Sequence, residues 1–233
     1  LPSGGNNATA NDLNAGNYNC TITDGNGCNK TQTLTITQPN AITTSISSQT
    51  NVSCFGGSNA AATISVSATG SITYTWLPSG GNNATANSLT AGNYNCTITD
   101  GNGCNKTQSL TITQPNAITT SISSQTNVSC FGDSNGSALL TVNGGAGNYT
   151  YTWTPSGGSS SVANNLSIGT YTALVSDINN CTKSTIVVIT EPTILSVNAT
   201  ITSPSCLEAN DGSALLNISG GVSPYSVAWN NGI

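Results

Sequence analysis

The stretch Ala91–Cys104, AGNYNCTITDGNGC, decides how the chain reads, because it occurs three times: at Ala15–Cys28, at Ala91–Cys104 and, more loosely, at Ile168–Cys181 as IGTYTALVSDINNC. Each copy alternates inward residues (Tyr94, Cys96, Ile98), opens a turn with an aspartate and places a cysteine just past it. Such alternation predicts a β-strand running into a hairpin. No copy carries a nucleophile beside a base, a cluster of metal ligands or a phosphate-cradling loop, so the repeat points to architecture. No catalytic residue, cofactor or metal ligand is assigned, and the chain reads as non-enzymatic.

Working outward, Leu1–Gly56 and Leu77–Gly132 are the same sequence except at Asp12/Ser88, Asn14/Thr90 and Thr33/Ser109. Leu77 stands where Leu1 does, a period of about 76 residues. The folding unit is therefore much shorter than the 233-residue chain. With Pro39, Pro115 and Pro192 as punctuation, the chain divides into a partial repeat (1–40, the second half of a unit), two complete repeats (41–116 and 117–192) and a second partial repeat (193–233, the first half).

The complete repeat 41–116 shows no helical periodicity. Strands are expected at Ile42–Ser47, Val52–Phe55, Ala62–Ser67, Ile72–Trp76, Asn83–Leu89 (an edge), Tyr94–Thr99 and Thr107–Thr113. The next repeat keeps the pattern with Leu140 and Val142, then Tyr149, Tyr151 and Trp153; the last fragment keeps it with Leu216, Ile218, Tyr225, Val227 and Trp229. The expected fold is all-β: tandem immunoglobulin-like β-sandwich modules of about 76 residues, one disulfide each, with Trp76, Trp153, Trp229, Tyr94 and Tyr171 as core anchors. Linkers are nearly absent, since TITQPNAI runs from one unit into the next, so a semi-rigid rod is expected.

The chain has three lysines, no arginine or histidine, eight acidic residues and a formal charge of −5. Nucleic acid needs clustered basic side chains and is excluded as a partner. No apolar run is long enough to insert into a membrane. Eight cysteines at repeating positions in small units imply a disulfide framework made in an oxidising compartment.

Cys54, Trp76 and Cys96 imitate the Cys–Trp–Cys order of immunoglobulin domains. In the following repeat, however, Ala173 stands where Cys96 does, leaving Cys130 and Cys181 only each other within the unit. The expected bridges are therefore Cys54–Cys104 and Cys130–Cys181, each worth about 4 kcal/mol of loop-closure entropy. Cys28 and Cys206 would pair outside the chain or between chains. Cys20 and Cys96 read as small buried hydrophobes, with an intermolecular cross-link as the alternative.

Asp133-Ser-Asn135-Gly136 and Glu208-Ala-Asn210-Asp211-Gly212 resemble pieces of a calcium loop, but Gly57-Ser-Asn59-Ala60 lacks the carboxylate, and plain turns are the reading adopted. Asp24, Asp100 and Asp177 are expected to make Asx turns. Asn-x-Ser/Thr tripeptides are numerous, but duplication and an Asn-rich composition account for most of them.

The elements SCFGGSNAAATISV, ITYTW, LTAGNYNCTITDGNGC and LTITQP together resemble the SprB-type repeat of the giant cell-surface adhesins of gliding Bacteroidota. The resemblance covers the whole chain as two complete and two partial copies. It implies an extracellular, cell-surface protein exported by the type IX system. The cysteines Cys20 and Cys96 depart from the apolar residue usual there. The function expected is a semi-rigid adhesin stalk for surface attachment or gliding; the alternatives are a subunit of an extracellular filament or sheath and a carbohydrate-binding module. The partners expected are neighbouring repeats of the same chain, with surface glycans or identical chains as further candidates.

Overall fold

A computed structural model describes residues 7–230. Sixteen strands and no helix occur among the described residues, which follows from a sequence dense in Thr, Ile, Val and Tyr at alternate positions. A first hairpin pairs β1 (Gly16–Thr23) with β2 (Asn29–Ile36) in register from Gly16↔Ile36 to Thr23↔Asn29.

The next six strands are β3 (Thr43–Thr50), β4 (Ala60–Ser67), β5 (Ile72–Leu77), β6 (Thr85–Leu89), β7 (Gly92–Asp100) and β8 (Asn105–Ile112). They form two three-stranded sheets, β3-β4-β6 and β5-β7-β8. The following six repeat this arrangement: β9 (Thr119–Thr126), β10 (Gly136–Asn143), β11 (Thr150–Thr154), β12 (Val162–Leu166), β13 (Gly169–Ser176) and β14 (Thr182–Ile189) give sheets β9-β10-β12 and β11-β13-β14. First, second and fourth strands in one sheet, third, fifth and sixth in the other, is the A-B-E over C-F-G order of immunoglobulin-like sandwiches. A last pair joins β15 (Ser196–Thr202) to β16 (Ser213–Ser219).

By spatial grouping the chain divides into two units: Leu1–Thr50, Ala61–Leu89 and Asn93–Thr111 make the first, and Asn51–Ala60, Thr90–Gly92 and Ile112–Ile233 the second. In the second, Leu140, Trp153, Leu166, Tyr171, Val175 and Ile189 form one closed core between the sheets. Each inward position of β13 alternates with an outward one, so a single strand supplies Tyr171, Ala173 and Val175 to the core. Trp153 is 4% exposed and its indole N–H donates to the Ser160 carbonyl at 2.9 Å. Burying that one polar atom with a partner makes the large ring a net gain. Tyr171 donates its hydroxyl to the Ser167 carbonyl at 3.1 Å, the tyrosine-corner contact of this fold. In the first unit Ile64, Trp76, Ala86, Leu89, Tyr94, Cys96 and Ile98 are buried in the same pattern. Cys96 is fully buried there, and burial pushes its thiol pKa up. Cys20, at the same place in the β1–β2 hairpin, is exposed.

Three expectations are corrected. Val52–Phe55 is a loop, because the Asn59 side chain accepts the Ser53 N–H at 3.0 Å and the Gly57 N–H closes back on the Cys54 carbonyl at 2.9 Å, satisfying locally the groups a strand would offer. Trp229 is 49% exposed and anchors no core. Of its repeat only β15 and β16 are strands among the described residues. The third correction is the pairing of the cysteines.

Candidate functional site

Among the described residues there is one disulfide, and it joins Cys54 to Cys181 across 127 residues of sequence. Both cysteines belong to the second spatial unit. Cys104 and Cys130 are exposed thiols. The expected pairings Cys54–Cys104 and Cys130–Cys181 do not form, nor does each repeat hold a bridge of its own.

The reason lies in one strand. Cys181 immediately precedes β14, whereas the loop carrying Cys130 is fastened past its other end, where Val128 N–H donates to the Thr190 carbonyl at 2.9 Å and Thr190 N–H to Asn127 Oδ1 at 3.2 Å. Eight residues of extended chain separate the two ends, on the order of 26 Å. A disulfide tolerates Cα atoms no more than about 7 Å apart. In the earlier repeat Val52 N–H likewise reaches the Thr113 carbonyl, just beyond β8, at 3.0 Å. What lies beside the Cys54 loop is the turn after β13 of the next repeat, and there the Cα atoms of Cys54 and Cys181 stand 5.6 Å apart.

This junction is built from three short elements. The first is the Ser53-Cys54-Phe55-Gly56 loop, whose Gly56 N–H is held by Gln114 Oε1 at 2.7 Å. The second is the turn after β13. Asp177 Oδ1 accepts the N–H groups of Asn179 and Cys181, both at 2.9 Å, which is the Asx turn expected from sequence and aims Cys181 at the loop. In the same turn Asn179 Nδ2 donates to the Ser53 carbonyl at 3.0 Å. The third is the Gly144-Gly145-Ala146 bend. Gly145 N–H donates to the Asn116 carbonyl at 2.8 Å, and Ala146 N–H donates to Asp177 Oδ2 at 2.8 Å. A Cβ on Gly144, at φ +82°, would run into the Ala117 carbonyl oxygen, so only glycine lets the bend approach the linker this closely.

Asp177 is the electrostatic centre of the junction. It is 4% exposed, and its carboxyl is held below the usual aspartate range, first by the Ala146 N–H and then by those of Cys181 and Asn179, against the opposing effect of burial. Asp100 makes the same turn toward Cys104, accepting its N–H at 3.0 Å, and Asp24 toward Cys28 at 2.9 Å. An open cleft beside the bridge is lined by Phe55, Pro115, Ile118 and Asn180. No group of three or more His, Cys, Asp or Glu able to hold a metal ion occurs among the described residues. The cystine and its hydrogen bonds form a fastening between repeats.

Sequence reading found both cysteines and the Asp177 turn but missed Asn179, Ala146 and the pairing. The signal was present: a cysteine in front of an eight-residue strand cannot meet one tied behind it. The SprB repeat family model matches residues 46–81, 122–158 and 198–232. These three stretches of the chain are SprB repeats. The matches start at 46, 122 and 198, in step with the sequence period, and each ends shortly after the tryptophan position. Cys54 thus lies inside a matched segment and Cys181 outside one. No curated protein matches the chain. Among solved structures, the three N-terminal domains of the bacteriophage RB49 Highly Immunogenic Outer Capsid protein align over 83% of this chain and 72% of theirs at 18% identity and a TM-score of 0.45. Sidekick-1 immunoglobulin domains 1–5 align over 89% of this chain and 53% of theirs at 13% identity and a TM-score of 0.31.

Proposed function

We propose that this chain is a non-enzymatic, load-bearing segment of an extracellular adhesin stalk at a bacterial cell surface, serving attachment or gliding. One observation carries the reading: the Cys54–Cys181 bridge fastens one repeat to the next. A catalytic scaffold has no need of such a tie, whereas a tether under tension does. Tension entering at the N-terminal side passes from Cys54 through the sulfurs to Cys181, and the residues between carry none of it. A chain with 5% charged residues and three lysines also offers trypsin-like proteases few sites, which suits life outside the cell.

The test is single-molecule stretching of the whole chain with and without reductant. With the bridge intact, the 127-residue separation is withheld, about 440 Å of extension at full stretch; reduction should release it. Equal contour lengths in both conditions would overturn the reading.

A further inference from the structure

We propose that Cys54–Cys181 is one rung of a disulfide ladder, in which the loop cysteine of each repeat pairs with the turn cysteine of the repeat that follows it. Four of the five exposed thiols then sort into two kinds. Cys130 and Cys206 are loop halves waiting for a following repeat, and Cys28 and Cys104 are turn halves waiting for a preceding one.

The local geometry of both halves is the same whether or not the bridge is closed. In the three loops, Ser53, Ser129 and Ser205 N–H groups each donate to the side-chain oxygen six residues on (Asn59, Asn135, Asp211) at 3.0 Å. The N–H three residues past each cysteine returns to its carbonyl: Gly57 to Cys54 at 2.9 Å, Asp133 to Cys130 at 3.2 Å and Ala209 to Cys206 at 3.1 Å. In the three turns, Asp24, Asp100 and Asp177 accept the N–H of Cys28, Cys104 and Cys181 at 2.9, 3.0 and 2.9 Å. Each thiol is therefore already presented as its bridged counterpart is. Pairing within a repeat is barred by the length of β14, and the equivalent β8 has the same eight residues.

Applied to residues 1–233, the rule admits a single rung, since a loop partner for Cys104 would fall one full repeat before Cys54 and a turn partner for Cys130 one full repeat after Cys181. One rung is what forms. Closing another joins two sulfurs as two S–H bonds are lost; the two protons and two electrons go to a disulfide oxidant such as oxidised glutathione or an oxidised thiol oxidoreductase, which leaves as two thiols. Successive rungs overlap, because Cys130 lies inside the loop closed by Cys54 and Cys181. Along the shortest covalent path, only the segment from Cys181 to Cys206 then bears load between alternate rungs.

The experiment extends the full chain by one repeat: a second copy of residues 117–192, carrying Cys130→Ser, inserted after residue 192, and oxidised in a glutathione redox buffer. Non-reducing proteolysis with mass spectrometry should find Cys54–Cys181 and, alongside it, Cys130 bridged to Cys181 of the added copy, leaving five of the nine cysteines as thiols. Seven free thiols, or a Cys130–Cys181 bridge formed at the expense of Cys54–Cys181, would overturn the ladder. A second variant covers failure of the insertion to fold. In the original chain Cys54→Ser should leave all seven remaining cysteines as thiols, and recruitment of Cys130 by Cys181 would sink the rule.

Discussion

Cys54 and Cys181 are bonded to each other although each has another cysteine within its own repeat, Cys104 and Cys130. Closing a loop of 127 residues is worth about 5 kcal/mol on the chain-entropy model, and the bond itself lies at the junction, outside the Trp153 core. Reduction, or Cys181→Ser, should therefore leave the Trp153 core folded while loosening the junction. Hydrogen exchange reads this directly: the Gly145 and Ala146 amides, which donate to Asn116 and Asp177, should exchange at least tenfold faster, and the β13 amides should not change. Equal acceleration of β13 would mean that the bridge holds the sandwich itself.

Gly144 offers a test of how closely the bend must approach the linker. Gly144→Ala drives a Cβ into the Ala117 carbonyl oxygen at φ +82°, so the backbone must move. We expect a loss of more than about 2 kcal/mol in urea denaturation. Gly147→Ala is the control: its φ is +78° and nothing lies within 4 Å, so only the left-handed strain of about 1 kcal/mol applies. Similar losses for both variants would show that the close approach contributes nothing.

The sandwich was legible in the sequence because alternation is a local property. Tyr94, Cys96 and Ile98 face inward for the same reason that Tyr171, Ala173 and Val175 do, and the repetition of the stretch supplied that comparison without a structure. The bridge was not read because it is not local to a repeat. Counting cysteines within a unit gave Cys130 and Cys181 to each other, but a strand of eight residues stands between them. Trp229 was misjudged for a related reason. Its pattern matches Trp153, but pattern records which way a side chain faces and not whether a partner strand is there to cover it.

Asp177 makes the junction sensitive to acid. Its folded carboxyl is held below the ordinary value by the Ala146, Cys181 and Asn179 N–H groups, the first contributing most. In the unfolded chain an aspartate titrates near about 3.9. As pH falls, the unfolded state takes up the proton before the folded one, so the stabilisation is complete above about pH 5, declines through the unfolded value and is gone below the lower folded one. Asp177→Asn should flatten the melting temperature between about pH 5 and pH 3 relative to the parent chain and lower it at neutral pH. A parent and variant that track each other through that window would remove Asp177 as the cause.

Trp153 and Trp229 occupy the same place in successive repeats but opposite environments, 4% and 49% exposed. Trp153→Ala removes a ring packed among Leu140, Leu166, Tyr171 and Val175. It also leaves the Ser160 carbonyl, which now accepts the indole N–H at 2.9 Å, without that donor. The expected loss is about 3–5 kcal/mol, a large share of the stability of an ordinary domain. Trp229→Ala in the same chain deletes an exposed side chain, and its cost should stay within about 0.5 kcal/mol. Urea titration followed by circular dichroism compares the two without relying on tryptophan as the reporter. A loss at Trp229 approaching that at Trp153 would mean that the last half-repeat holds a core of its own rather than an open face.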